Sequence, residues 1–205
     1  MNLLCINTAF INADIAVNLG DKRKYKKFDS TFKHSEHVMQ GIDDMLENVK
    51  VCDLDYMAVC VGTGSFTGIR IGIAVAEGFK TANDNLKLVE LNSFELAVEN
   101  ILNFTEKKYA VVFNALGGRY FVQYYIGKTP VSTPLLLTQQ EIEDVEKIGL
   151  EGEKLDICDK FVNISPESVL NLAEQKIKTG NFADSLQPLY VRQSQAEENL
   201  QKVGK

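Results

Sequence analysis

The 205-residue chain lacks the features that mark several specialised protein classes. No apolar run reaches the roughly 20 residues that cross a bilayer, and residues 1–5 show neither the basic nor the apolar part of a signal peptide. The four cysteines form no C-x-x-C pair, and three of them sit among apolar neighbours, which suggests buried reduced thiols. We therefore expect a cytoplasmic protein that neither enters nor binds a membrane.

The chain also lacks a net positive charge. The net charge is −6 and the isoelectric point is near 5.1, whereas a protein that binds nucleic acid alone usually carries a basic face. The one concentrated basic run, residues 22–27, would be divided between the two faces of a strand and is typical of an edge strand that lysines protect from mispairing. Any contact with nucleic acid is therefore expected only together with a partner.

The residues that are present predict an α/β chain of two lobes. Hydrophobic residues make up 45% and charged residues 24%, ordinary values for a globular protein. The first lobe, residues 1–104, is predicted in the order three strands, helix, strand, helix, strand, helix. Its strands are expected at 3–8, 11–19, 22–28, 56–61 and 86–91, and its helices at about 35–50, 66–82 and 93–103.

The second lobe, residues 105–205, looks reduced. Strands at 109–114 and 119–126 repeat the opening hairpin, but the pattern weakens over 127–164. A helix is predicted at about 166–179, with serine as N-cap and proline in the first turn. The polar tail after it is expected to pack back on the first lobe.

The most distinctive segment is 62–80, where a strand ends in a glycine-rich turn that opens a helix. Such a turn can place backbone N–H groups around an anion, but three templates fail. A Walker A loop needs an earlier lysine than Lys80, and a dinucleotide fingerprint needs glycine where Thr67 stands. A nucleophile elbow needs glycines two places either side of Ser65, where threonines stand. Phosphate binding by this turn alone is therefore not favoured.

The helix after the turn carries a stripe of small residues. Gly68, Gly72 and Ala76 recur every four positions, and each glycine costs a helix roughly 0.5–1 kcal/mol relative to alanine. The remaining surface is apolar almost all round, so the helix must be covered on both sides. The cover is either internal, from the protein's own core, or external, from another chain.

This segment resembles the signature of the TsaB (YeaZ) family, G-P-G-S-F-T-G-L-R-I-G-x-A-x-A-K-G. Thr63 replaces the proline and Glu77 the lysine. Weaker agreement comes from Ile6-Asn7-Thr8, from His34-Ser35-Glu36 and from the motif at 188–192. The resemblance covers nearly the whole chain in the right order.

The resemblance implies an actin-like/Hsp70-like (ASKHA, ribonuclease H-like) fold with a reduced second lobe. It implies a non-catalytic subunit of the complex that makes N6-threonylcarbamoyladenosine at position 37 of tRNA, without a cofactor or metal of its own. The implied partners are a TsaD-type catalytic subunit and a TsaE-type ATPase, with a homodimer when the chain is alone.

The resemblance also implies a subunit interface on helices 35–50 and 66–82. The residues expected there are Met39, Ile42, Met45, Gly68, Arg70, Gly72, Ile73, Ala76 and Phe79. On this interpretation, Gly72→Leu or Ala76→Arg would leave the monomer folded but abolish pairing with the catalytic subunit.

The residues themselves also argue against catalysis at the usual place. Active proteins of this fold carry an aspartate at the end of the first strand of each lobe, and Asn7 and Asn114 stand there in this chain. An amide lacks the charge that Mg²⁺ favours and cannot act as a general base. His34 and His37 lack the spacing of a metal site and a third ligand. The open alternatives are a hydrolase or peptidase using Ser65, and a stand-alone nucleotide-binding protein.

Overall fold

The computed structural model describes residues 1–20, 22–29, 34–104, 106–153 and 155–191, without the side chains of 34–36. The first lobe is a five-stranded sheet in the order β3-β2-β1-β4-β5. The β1-β2 and β2-β3 pairs are antiparallel, whereas β4 is parallel to β1 and β5 to β4. The strands are β1 (Asn2–Asn7), β2 (Ala13–Leu19), β3 (Lys22–Phe28), β4 (Tyr56–Cys60) and β5 (Lys87–Leu91), and the helices are α1 (His34–Leu46), α2 (Phe66–Ala82) and α3 (Ser93–Glu99).

The second lobe repeats this arrangement around β6. Its strand order is β11-β10-β6-β7-β8, with β9 also paired to β7. The elements are β6 (Lys108–Asn114), β7 (Arg119–Ile126), β8 (Thr129–Pro130), β9 (Leu135–Thr138), β10 (Glu146–Leu150), β11 (Lys160–Val162) and α4 (Pro166–Lys178). In the first lobe, α1 and α2 lie directly before and after β4. Within the described residues of the second lobe, no α-helix lies between β9 and β10 or between β10 and β11. The second lobe is therefore a reduced copy of the first.

The helices form two layers. α1 and α2 cover the outer face of the first sheet, where Ile42 and Phe79 are buried against Leu4 and Ile6. α3 and α4 fill the space between the two sheets, in a core that includes Phe94 and Leu170. α4 follows the second sheet in sequence but packs against β1, β2 and β5 of the first. The two lobes therefore share one continuous core.

Polar contacts of α4 reinforce this shared core. The carboxylate of Glu174, which is 9% exposed, accepts hydrogen bonds from Asn18 Nδ2 at 2.8 Å and from an Arg23 guanidinium nitrogen at 2.6 Å. Asn100, after α3, donates from Nδ2 to Ser168 Oγ of α4 at 2.9 Å. Because the buried carboxylate is paired with a cation and an amide, it fixes the position of α4 at little net cost.

Two helices end earlier than the sequence pattern indicates. α1 stops at Leu46 instead of about residue 50, because Glu47 adopts a left-handed backbone with φ of 55°. α3 stops at Glu99 instead of about 103, because the Asn100 side chain donates to the Leu96 carbonyl oxygen and closes the last turn. The predicted start of α4 is confirmed, since Ser165 caps it and Pro166 is its first residue.

The small-residue stripe of α2 faces the protein's own sheet. A Cβ added to Gly68 would lie 1.9 Å from the Thr8 carbonyl oxygen, and one added to Gly72 would lie 2.8 Å from Thr8 Oγ1. Ala76 is fully buried in the same layer. The expectation that this stripe is open to another chain is therefore corrected: the backbone that approaches it closely is the end of β1. Gly72→Leu and Ala76→Arg would disturb folding and could not report on pairing alone.

We predict that Gly68→Ala lowers the free energy of unfolding by about 1–3 kcal/mol or more, because its methyl group would collide with the Thr8 backbone. Gly78→Ala, in the same helix, is the matched control. Gly78 is exposed and has no neighbour within 4 Å of an added Cβ, so alanine should raise the free energy of unfolding by about 0.5–1 kcal/mol. Urea unfolding of both variants measures the two effects. Equal stabilisation by both would contradict the close contact.

Candidate functional site

A buried polar pair lies at the end of the opening hairpin. Asn7 is opposite Asp14 in the β1-β2 register, and Asn7 Nδ2 donates to Asp14 Oδ2 at 3.0 Å. Asn7 Oδ1 accepts from the Ala9 backbone N–H at 3.2 Å, so both ends of the amide are used within the hairpin. Asn7 is 0% and Asp14 is 3% exposed. Position 7 therefore holds an amide, and the neighbouring strand carries a carboxylate, Asp14, directly opposite it.

Lys27 connects this pair to the second lobe. Its ammonium donates to the Ile164 carbonyl oxygen at 2.6 Å and to Asn163 Oδ1 at 2.9 Å, and lies 3.8 Å from Asp14 Oδ1. Within the described residues, Asp14 Oδ1 accepts no hydrogen bond. Burial raises the pKa of Asp14 to about 6, although Lys27 and the Asn7 amide both act to lower it. The ammonium group therefore joins the lobes but compensates the buried carboxylate only partly.

Aromatic side chains fill the space between the lobes beside this pair. Phe113 of β6 lies with its ring centroid 5.8 Å from that of Phe10 and 4.8 Å from that of Phe94. Asn114, the equivalent of Asn7 in the second lobe, is exposed, and its side-chain oxygen accepts from the Leu116 N–H at 2.8 Å. Its backbone N–H donates to Glu153 Oε2 at 2.9 Å. Both asparagines are thus engaged in local backbone structure.

The glycine-rich turn is held by neighbouring backbone. The Ser65 N–H donates to the Ala9 carbonyl oxygen at 2.7 Å, and Ser93 Oγ donates to the Thr63 carbonyl oxygen. Ser65 Oγ caps α2 by accepting from the Gly68 N–H at 3.2 Å. A hydroxyl used in this way is a helix cap, and its hydrogen bond to a described residue is with the Gly68 backbone rather than with a general base.

The predicted interface residues divide into two groups. Met39, 51% exposed, and Arg70 lie on the surface of the outer helix layer, and Ile73 is half-buried. The others are buried within the first lobe: Ile42, Met45, Gly68, Gly72, Ala76 and Phe79. Buried residues can support an interface by positioning the helices, but they cannot touch a partner. Ala74 and Gly78 form a second row of small residues on α2 and are exposed, although the predicted interface residues do not include them.

The basic run on β3 is neutralised by the protein's own acids. Lys24 pairs with Glu47 at 2.6 Å and Lys26 with Asp44 at 3.3 Å on the α1 side, while Arg23 and Lys27 point to the other face. β3 is the edge strand of its sheet. The expected division of this run between two faces of an edge strand is confirmed.

The histidines add no evidence of a metal site. His37 is exposed on α1, and the side chain of His34 lies outside the described residues. In the part of the chain that the structure describes, no three His, Cys, Asp or Glu side chains cluster as metal ligands. No helix in that part is long and apolar enough to cross a membrane.

We predict that Asp14→Asn removes a pH-dependent contribution to stability. The folded pKa, about 6, lies above the ordinary value near 4, so the folded state binds the proton more tightly than the unfolded state. Wild-type stability from this group is therefore fully present below pH 4 and is lost as the pH rises through 6. Asp14→Asn should be more stable than wild type at pH 8 and lack this loss, as measured by urea unfolding from pH 4 to 8.

The matched control is Asp43→Asn, which removes one negative charge from the exposed surface of α1. A stability change shared by both variants would be an effect of net charge. An unchanged pH dependence in Asp14→Asn would contradict the assignment to the buried carboxylate.

Comparison with known proteins gives concordant results. Residues 29–130 match the family model described as TsaD, tRNA N6-adenosine threonylcarbamoyltransferase. The chain is 26% identical over 211 aligned positions to the tRNA threonylcarbamoyladenosine biosynthesis protein TsaB of Buchnera aphidicola subsp. Schizaphis graminum, and the match covers 94% of each. Two solved structures from Pseudomonas aeruginosa, YeaZ and a protein with similarity to peptidase YeaZ, superpose with a TM-score of 0.77 at 17% identity.

These superpositions cover 92% and 93% of this chain and 99% of each solved chain. They confirm the predicted two-lobed actin-like fold, in agreement with the repeated sheet topology. The sequence match to a TsaB protein runs the length of both chains, and the glycine-rich signature lies at the predicted strand-to-helix turn, so the comparisons support the predicted resemblance to the TsaB (YeaZ) family.

Proposed function

We propose that this chain acts in the biosynthesis of N6-threonylcarbamoyladenosine in tRNA, as a non-catalytic subunit that binds a TsaD-type transferase. The full-length match to a protein named for this pathway carries the proposal. A TsaE-type ATPase would join the two subunits, and tRNA would meet this chain only within the complex. The pathway keeps the cytoplasm as the expected location.

The match to the TsaD model supports a particular way of pairing. A chain whose residues 29–130 match the model of its proposed partner would share with that partner the helices α1 and α2 and the strands β4 and β5. Two chains with the same helix layer can pair about a pseudo-two-fold axis, as identical subunits do in an isologous dimer. The same surface would then serve a homodimer when the partner is missing.

The outer helix layer offers a suitable surface. Ala74 and Gly78 of α2 are exposed and small, and Met39 of α1 is exposed and apolar. Ile71 and Val75 of α2 are half-buried. Small residues allow the backbones of two helices to approach closely, and half-buried apolar side chains become fully buried on pairing. This surface replaces the buried stripe as the expected contact.

The interior of the cleft supports the non-catalytic role. Phe10, Phe94 and Phe113 occupy the space between the lobes, and Lys27 bridges the lobes at the end of β1. The amides of Asn7 and Asn114 are engaged in local backbone contacts. These groups favour a permanently closed cleft over one that opens to admit a nucleotide.

We predict that Ala74→Arg abolishes capture of this chain by an immobilised TsaD-type subunit, because a long charged side chain would hold the two helix layers apart. Gln175→Arg, on the exposed side of α4, is the matched control and should bind as wild type does. Thermal melts of both variants check that the fold is intact. Normal capture of a folded Ala74→Arg variant would contradict the placement of the interface.

One observation favours a second candidate, a nucleotide-binding protein. The Asp14 carboxylate is buried at the end of the opening hairpin, and one of its oxygens accepts no hydrogen bond from any described residue. Isothermal calorimetry with Mg²⁺ and ATP or ADP tests this candidate. We expect no heat of binding at millimolar nucleotide, because the aromatic side chains fill the cleft. Binding that Asp14→Asn abolishes would establish the alternative.

A further inference from the structure

The C-terminal strap, residues 182–191, runs from the edge of the first sheet to the start of α2. The Ala183 N–H donates to the Leu88 carbonyl oxygen at 2.9 Å, on the free edge of β5. The Leu186 N–H then donates to Glu77 Oε1 at 2.9 Å. The strap is thus fastened to α2 by a carboxylate at the position where this chain departs from the family signature.

The strap ends in a surface cluster of three side chains. Tyr190 stacks on Phe66, with ring centroids 5.6 Å apart and an interplanar angle of 27°. The Arg70 guanidinium lies over the Phe66 ring, with its central carbon 3.8 Å from the ring centroid. Arg70 Nε donates to the Tyr190 hydroxyl at 3.1 Å. The Leu189 N–H donates to the Val61 carbonyl oxygen at 2.8 Å and fixes the strap over the glycine-rich turn. The cluster is therefore ordered before any partner arrives.

This cluster is more exposed than its internal contacts require. Tyr190 is 49% and Phe66 is 38% exposed, and Arg70 is exposed as well. The Arg70 side chain donates to a described residue only from Nε. No described residue accepts a hydrogen bond from the N–H groups of its two terminal nitrogens. A guanidinium whose central carbon lies 3.8 Å from an aromatic centroid can still donate from both terminal nitrogens, and a planar guanidinium binds a carboxylate through two parallel bonds.

The charge around the cluster favours an anionic group. The positive end of the α2 dipole lies at Phe66, and the guanidinium of Arg70 adds a full positive charge one turn along the helix. This is a local positive patch on a chain whose net charge is −6. Tyrosine and arginine are also the side chains that most often dominate binding energy at protein interfaces, and pre-ordering reduces the entropy lost on binding.

We propose that Phe66, Arg70 and Tyr190 form one anchor of the subunit interface, and that the TsaD-type partner places a carboxylate on the Arg70 guanidinium and an apolar side chain against the Phe66–Tyr190 stack. This inference rests on the proposed function. It makes the strap part of the interface, since the described contacts of residues 183–189 bring Tyr190 to α2. Partner recognition would then depend on a docked tail as well as on the helix layer.

The test measures the Kd of the complex with a TsaD-type subunit by calorimetry, using the full chain. Arg70→Glu should weaken binding by on the order of tenfold or more, because the carboxylate would meet a like charge. Tyr190→Ala should weaken it as well, whereas Tyr190→Phe keeps the stacked ring and should have a smaller effect. The matched control, Arg119→Glu, makes the same charge change at an exposed arginine of the second lobe and should leave the Kd unchanged.

The outcomes separate this inference from the proposed function. If wild type binds the partner and both Arg70→Glu and Tyr190→Ala bind equally well, the anchor is overturned and the proposed function stands. Equal losses in Arg70→Glu and Arg119→Glu would reduce the effect to net charge and also overturn it. If Arg70→Glu abolishes only self-association in sedimentation experiments, the anchor serves a second copy of this chain and the proposal fails. If wild type does not bind at all, the proposed function itself fails.

Discussion

The close approach of the β1 end to the first turns of α2 is the constraint on which the rest of the first lobe depends. Thr8 Oγ1 donates to the Gly68 carbonyl oxygen at 2.7 Å, and the Ala9 carbonyl oxygen accepts from the Ser65 N–H. A Cβ at Gly64 or Gly68 would lie about where the Ala9 or Thr8 carbonyl oxygen already stands. The glycines therefore allow the opening hairpin and the glycine-rich turn to pack as one unit.

That unit positions both surfaces discussed above. On its inner side it sets Asn7 and Asp14 beside Lys27, whose ammonium joins the lobes. On its outer side it fixes the start of α2, so Phe66 and Arg70 are held at the surface where the strap reaches them. The aromatic contacts of Phe10, Phe94 and Phe113 lie between the lobes, on the side of the first sheet opposite the outer helix layer.

Much of the fold could be predicted because local patterns determine it. The short apolar run of β1, the two-faced pattern of β3 and the capping pair at Ser165 and Pro166 predict those elements directly, and the structure has them. The ends of α1 and α3 could not be predicted, because they depend on the left-handed backbone of Glu47 and on a side-chain bond of Asn100. The weak pattern over 127–164 hid four short strands, of which β8 has only two residues and β10 pairs with the distant β6.

The site was predicted less well than the fold, for a specific reason. A stripe of small residues has the same spacing whether it receives the protein's own β1 or another chain, so the sequence could not distinguish the two for Gly68 and Gly72. Asp14 was missed although a charged residue within an apolar strand was a visible signal. The contact of Tyr190 with Arg70 spans 120 positions and leaves no local pattern.

The most direct test of the central claim is reconstitution of tRNA modification from purified components. Unmodified tRNA would be incubated with threonylcarbamoyl-AMP, a TsaD-type subunit, a TsaE-type ATPase and ATP, with or without this chain. The modified nucleoside would be quantified by mass spectrometry after digestion. The account predicts modification only when this chain and the TsaD-type subunit are both present. Equal modification without this chain, or modification by this chain in the absence of the TsaD-type subunit, would contradict it.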